Sequence, residues 1–158
     1  MVSTRCRRLL ATLVALVATV VVASPAMAAV SASYGTLTPS NPTVAACTGG
    51  TCMTTAATFA SNGTVSTNIT VSITLYRTAK AGATAASSSD YVVKTASATY
   101  ATVKGTSASK VLTATQKCLT VATVTYGYYT KATMTNGTAA GTVSQNSSIV
   151  QLKGCVTV

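Results

Sequence analysis

Between Thr64 and Tyr76 the chain alternates strictly. Val65, Thr67, Ile69, Val71, Ile73 and Leu75 take the odd positions, while Thr, Ser, Asn and Tyr fill the even ones. A period of two sends successive side chains to opposite faces of an extended backbone, so this run predicts a strand with one face in a core and one in water. Thr54 to Phe59 predicts a second strand. Ser61-Asn62-Gly63 between the two suits a tight hairpin, because Asn-Gly accepts positive φ. The same dipeptide at Asn136-Gly137 joins a segment from Cys118 to Thr133 to another from Thr138 to Val143.

Ala79 to Asp90, rich in Ala, Gly and Ser, has no apolar period and reads as a long surface loop, followed by a strand from Tyr91 to Val103. Lys104 to Ser107 turns into a strand from Lys110 to Thr115. The last strand, Ser148 to Val158, puts Val150 and Leu152 inward and Gln151 and Lys153 outward, with Gly154 as a bulge before Cys155. Seven or eight short strands at this spacing predict an all-β fold, an immunoglobulin-like or Greek-key sandwich, with a closed barrel as the alternative. Thr and Ser supply 44 of the 130 residues from Ala29 onward, and 14 of the 22 Val, Ile and Leu residues there are Val. Branching at Cβ favours strands, so composition agrees with pattern.

The amino end differs from the rest. Arg5, Arg7 and Arg8 precede an apolar run from Leu9 to Ala23, and Ala26-Met27-Ala28 offers small residues for cleavage, so residues 1–28 read as a cleaved signal peptide. The run is about 15 residues, short of the roughly 20 that cross a bilayer, and no later stretch resembles a span. The expected location is therefore secreted, extracellular. Residues 29–43 form either an amino-terminal edge strand or an extended arm that docks on a partner by strand addition, and residues 44–158 form the sandwich domain.

Cysteine usage fits export, since loss of Cys6 with the signal leaves an even number: Cys47, Cys52, Cys118 and Cys155. Four cysteines allow three pairings. The flexible Thr48-Gly49-Gly50-Thr51 turn favours Cys47 with Cys52, which leaves Cys118 with Cys155. In the chain-entropy model the longer loop contributes roughly 4 kcal/mol and the shorter roughly 2. Such staples matter because a Val-rich core is thin and folding margins are narrow.

Chemistry is constrained by what is missing. The chain has no histidine and one carboxylate side chain, Asp90. That leaves no residues for a Ser-His-Asp triad, a pair of glycosidase carboxylates, a histidine-based metal site or a carboxylate cage for a cation. No phosphate-binding glycine loop is present, so neither enzymatic activity nor any cofactor is expected. Ser107-Ala108-Ser109-Lys110 matches Ser-x-x-Lys, but a chain this rich in Ser matches by chance and the companion motifs are missing.

Charge is more informative. From Ala29 onward eight basic side chains face one acid, a net +7. Such a surface attracts polyanions, so an anionic surface polymer or an acidic protein is the expected partner class. Nucleic acid is not, because the only arginine among the eight is Arg77 and the lysines are scattered. Tyr126, Tyr128 and Tyr129 with Lys131 bring aromatic and basic groups together. With Tyr34 they are the candidate partner contacts, Tyr126 and Tyr128 on one face of a strand and Tyr129 on the other.

Size, signal and the short loop Cys47-Thr-Gly-Gly-Thr-Cys52 give a layout that resembles the enediyne-chromophore apoproteins of actinobacteria, which implies a small exported immunoglobulin-like sandwich with two disulfides. The other cysteine pair is 37 positions apart and the charge is basic, so no binding residue is carried over. Size, signal and predicted fold also resemble the small adaptor subunits of secreted multiprotein toxin particles. The expected function is an extracellular protein-binding adaptor in an assembly. A structural subunit of a surface layer or fibre, and a small-ligand carrier or secreted inhibitor, are the alternatives.

Overall fold

The computed structural model describes residues 28–118 and 124–153. The strands are β1 (Val30–Ala32), β2 (Gly35–Pro39), β3 (Thr43–Cys47), β4 (Gly50–Ser61), β5 (Thr67–Ala81), β6 (Tyr91–Thr102), β7 (Ser109–Lys117), β8 (Thr125–Thr135), β9 (Thr142–Asn146) and β10 (Val150–Lys153). All pair antiparallel, in two sheets: β1, β2, β3, β4 and β7 make one, and β5, β6, β8, β9 and β10 the other. The ten segments fill eight ladder positions, because β2 and β3 lie end to end along one side of β4, and β9 and β10 along one side of β8. The chain changes sheet between β4 and β5, β6 and β7, and β7 and β8. The result is a sandwich with Greek-key connections and open edges, not a barrel. Among the described residues no helix is long and apolar enough to cross a membrane.

Alternation fixes which faces meet. Ile69, Val71, Ile73 and Leu75 of β5 are fully buried, as the odd positions predict, but Val65 precedes the strand and is exposed. Met53, Thr55, Ala57 and Phe59 of β4 bury the same parity. Because both strands carry one apolar face, they pack face to face across the core. Asn62-Gly63 is therefore a corner between sheets, which corrects the expected hairpin. Gly63 has φ of 70°. Asn62 Nδ2 and Thr64 Oγ1 both donate to the Ser33 carbonyl, at 3.0 and 2.6 Å, and tie the corner to the β1–β2 turn. The Asn136-Gly137 turn does close a hairpin, β8 to β9.

The amino segment belongs to the sheet. β1 pairs with β2, and β2 pairs with β4 from Gly35↔Ser61 to Pro39↔Ala57, so residues 30–39 are a docked edge and not an arm. Tyr34, 1 % exposed, plugs the end of the sandwich. Its hydroxyl donates to the Gly141 carbonyl, with the Met134 carbonyl 3.3 Å away, and so clips the amino edge to the β8–β9 hairpin.

A belt of hydroxyls divides the core. On one side lies a cluster that includes Tyr34, Leu37, Phe59, Ile69, Val71 and Met134; on the other lie Met53, Leu75 and Tyr128. Between them the buried Thr55 donates to Thr130 Oγ1, and Thr130 Oγ1 donates to the Ser40 carbonyl at 2.6 Å. The Thr130 amide donates to Ser147 Oγ at 2.9 Å. Ser40 sits in the break between β2 and β3, Ser147 in the break between β9 and β10. Both edges thus interrupt at one level, where the Thr130 hydroxyl serves the half-buried Ser40 carbonyl on one side and the Ser147 hydroxyl serves the Thr130 amide on the other.

Cys47 and Cys52 form a disulfide, with Cα atoms 5.8 Å apart across the β3–β4 hairpin, whose turn uses Gly49 at φ 77°. This is the one bridge with both partners among the described residues. Cys118 follows β7, its amide donating to the Thr51 carbonyl at 2.8 Å, and its expected partner Cys155 lies outside the described residues. The expected signal segment lies outside them too, apart from Ala28.

Candidate binding surfaces

The expected aromatic patch is split by the fold. Tyr128 is fully buried, and Tyr34 nearly so; both are core residues whose side chains offer no contact surface, which corrects their place among the partner contacts. Large rings were needed where small aliphatic residues could not fill the sandwich. Tyr126 is half-buried at the open end of the core, where the Arg77 guanidinium carbon lies 4.8 Å from both its ring and that of Tyr91. That stack holds a cation between two π faces. Tyr129 and Lys131 point the other way, onto the outer face of the β5–β8 sheet. Tyr129 stacks on Tyr76 across the ladder, centroids 5.2 Å apart.

Asp90, the only carboxylate side chain, fixes the loop over that face. It accepts from the Ala79 amide at 3.0 Å, the Ser87 amide at 2.8 Å and the Tyr129 hydroxyl at 3.1 Å. Gln151 Nε2 donates to the Ala83 carbonyl at 2.7 Å and holds the loop's other flank. Burial, and then the Asp90 hydrogen bond and charge, push the Tyr129 phenol well above its ordinary value; burial raises Tyr34 as well. The carboxylate is thus a clasp, and no second acid stands beside it for proton transfer. Among the described residues no group of His, Cys, Asp or Glu is placed to hold a metal.

Two surfaces remain. The first is a pocket of about 260 Å³ between this loop and the sheet, lined by Tyr76, Ser87, Ser88, Tyr129, Lys131 and Asn146. Lys131 and Asn146 are register partners on β8 and β9. The outer face beyond it is paved with small hydroxyls. Thr99, Thr70, Thr135 and Thr142 share one row across four strands. Ser97, Ser72, Thr133 and Ser144 share the next. Neighbours pair at 3.1 Å for Thr70 with Thr99, and 2.7 Å for Thr133 with Ser144 and for Thr142 with Thr135.

The second surface is the flank where β6 and β7, each terminal in its sheet, run side by side. It carries exposed Val92, Val103 and Val111, at 61, 58 and 62 %, and Tyr91 at 53 %. Lys94, Lys104, Lys110 and Lys117, four of the seven lysines, are exposed along the same flank. Sequence reasoning missed it because neither strand is unusual alone; only the pairing order makes both of them edges. The opposite flank is closed by β1 against β9 and by the Tyr34 clip.

No protein-family model matches the chain, and no curated protein matches it either.

Proposed function

We propose that this chain is a secreted, non-enzymatic protein-binding module that takes an extended, acidic segment of a partner along the β6–β7 flank. The observation that carries the reading is the meeting, on one flank, of two sheet edges, four lysines and four exposed apolar side chains. An edge strand offers a row of backbone donors and acceptors, and strand addition satisfies them. Alternate pockets and charges then choose the sequence. Val and Tyr side chains give the added strand apolar area, and the lysines select acidic residues within it.

The same lysines argue against a fibre of identical subunits. Edge lysines block pairing between like copies, because each brings its own positive row to the junction. An acidic segment meets no such repulsion. The carrier reading is not favoured, since the core clusters on both sides of the Thr55–Thr130 belt are filled by side chains.

Affinity capture from the host's culture fluid, followed by cross-linking, tests the proposal. The expected result is a partner whose cross-links fall on residues 91–117 and whose affinity drops at least tenfold in a Lys94→Glu, Lys110→Glu double variant. A partner that cross-links elsewhere, or binds that variant undiminished, contradicts it.

A further inference from the structure

The pocket under the 82–90 loop has no part in the flank's chemistry, and its composition differs. We infer that it binds an acidic sugar unit of an extracellular polysaccharide, whose neighbouring units lie along the hydroxyl rows of the outer face. Four observations converge on that class of ligand.

Size comes first. At about 260 Å³ the pocket falls below the range for drug-sized ligands, and so suits one small ring. Its lining is mixed but not acidic: Lys131, Asn146, Ser87 and Ser88 join the rings of Tyr76 and Tyr129 and the Ala86 methyl. A sugar presents the matching set, hydroxyls at its edge and C–H groups on its face, and a carboxylate on the ring completes the pair with Lys131. Third, the site is preformed. Asp90 and Gln151, neither of which lines the pocket, hold the loop at 2.7 to 3.1 Å, so binding orders little that is not already ordered. The Asp90 charge is met by the Ala79 and Ser87 amides and the Tyr129 hydroxyl, and Asp90 is not among the lining residues.

Finally, the pocket opens onto the hydroxyl rows. Strands lie about 4.8 Å apart and alternate residues about 6.7 Å, so each row spans roughly 15 Å, enough for about three ring units of a chain. Apart from Lys131 the two rows next to the pocket carry no charge, and a polyhydroxyl chain exchanges hydrogen bonds with them without burying an ion. The inference is independent of the flank: it gives the module a second surface, on the outer face of β5, β8 and β9, able to act while the flank is occupied.

Retention of the intact protein on immobilised alginate, dextran and polyglutamate tests it. Alginate supplies uronic-acid rings, dextran neutral rings, and polyglutamate carboxylates without rings. Alginate is expected to retain the protein at least tenfold more strongly than either of the others at physiological salt. Lys131→Gln and Asn146→Ala, both at exposed positions, are each expected to weaken that retention at least fivefold. Lys153→Gln removes the same charge from an exposed site outside the pocket and is expected to change it less than twofold. Equal retention on polyglutamate, equal retention on dextran, or an equal effect of Lys153→Gln overturns the inference. Unchanged melting temperatures in the three variants establish that binding, not folding, has been read.

Discussion

The residues that decide this structure are polar. Thr130 is fully buried yet donates to the Ser40 carbonyl and receives from Thr55, at the level where both edge strands break. Replacing it with Val keeps shape and removes the donor, which leaves the half-buried Ser40 carbonyl and the buried Thr55 hydroxyl without this partner. The expected loss is about 1–3 kcal/mol in urea unfolding. Thr55→Val alone strands less, since Thr130 keeps its own acceptor, and a double-mutant cycle should show the two effects to be non-additive. Asp90→Ala leaves three donors without their acceptor at the loop's base; it should lower the melting temperature and raise proteolytic nicking at residues 82–89.

Tyr129 and Tyr34 set an alkaline limit at the same scale. Their folded-state pKa values are raised, so the fold holds these protons more tightly than the unfolded chain does. The stabilisation is complete below the ordinary tyrosine value of about 10 and is lost as pH rises above it, at about 1.4 kcal/mol per pH unit for Tyr129, with Tyr34 adding to the loss in the same direction. Unfolding followed between pH 9 and 11.5 should steepen accordingly, and Tyr129→Phe should remove one proton's share of the slope.

At the scale of elements, period two in β5 was legible because both its neighbours are strands and its inner face is continuous from Ile69 to Leu75. The break after Arg77, where the β5–β8 ladder shifts and Thr78 becomes buried, was not, since it lies opposite Gly127, which approaches closely from β8. A Cβ on Gly127 would come within 2.6 Å of Ile149 and 2.7 Å of the Ala83 carbonyl. Gly127→Ala should therefore destabilise by more than the usual helix or strand propensity difference and loosen the 82–90 loop with it. The Asn62-Gly63 signal specifies a turn but not a hairpin, for dipeptide chemistry sets the local φ and not the sheet in which the next strand lands. Tyr129 and Lys131 share parity on β8, so their common outward face was readable; the loop that turns that face into a pocket was not, because it is held by one carboxylate 39 residues away from Tyr129.

For the whole molecule, covalent and electrostatic features are divided by place. The Cys47–Cys52 bridge closes a short hairpin and should contribute roughly 2 kcal/mol, measurable as the stability lost in a Cys47→Ser, Cys52→Ser variant. Peptide mapping without reduction should recover Cys118 with Cys155. Four of the seven lysines lie on the β6–β7 flank, while the opposite flank is shut by β1, β9 and Tyr34, so the sandwich has one flank closed and one left open.

Amide hydrogen exchange on the free protein and on its captured complex tests that division most directly. The account predicts that β6 and β7 exchange quickly when free and are slowed together when the partner is bound, while β5 and β8 are slow in both states. Protection that appears on β1 and β9 instead, with β6 and β7 unchanged, would contradict it.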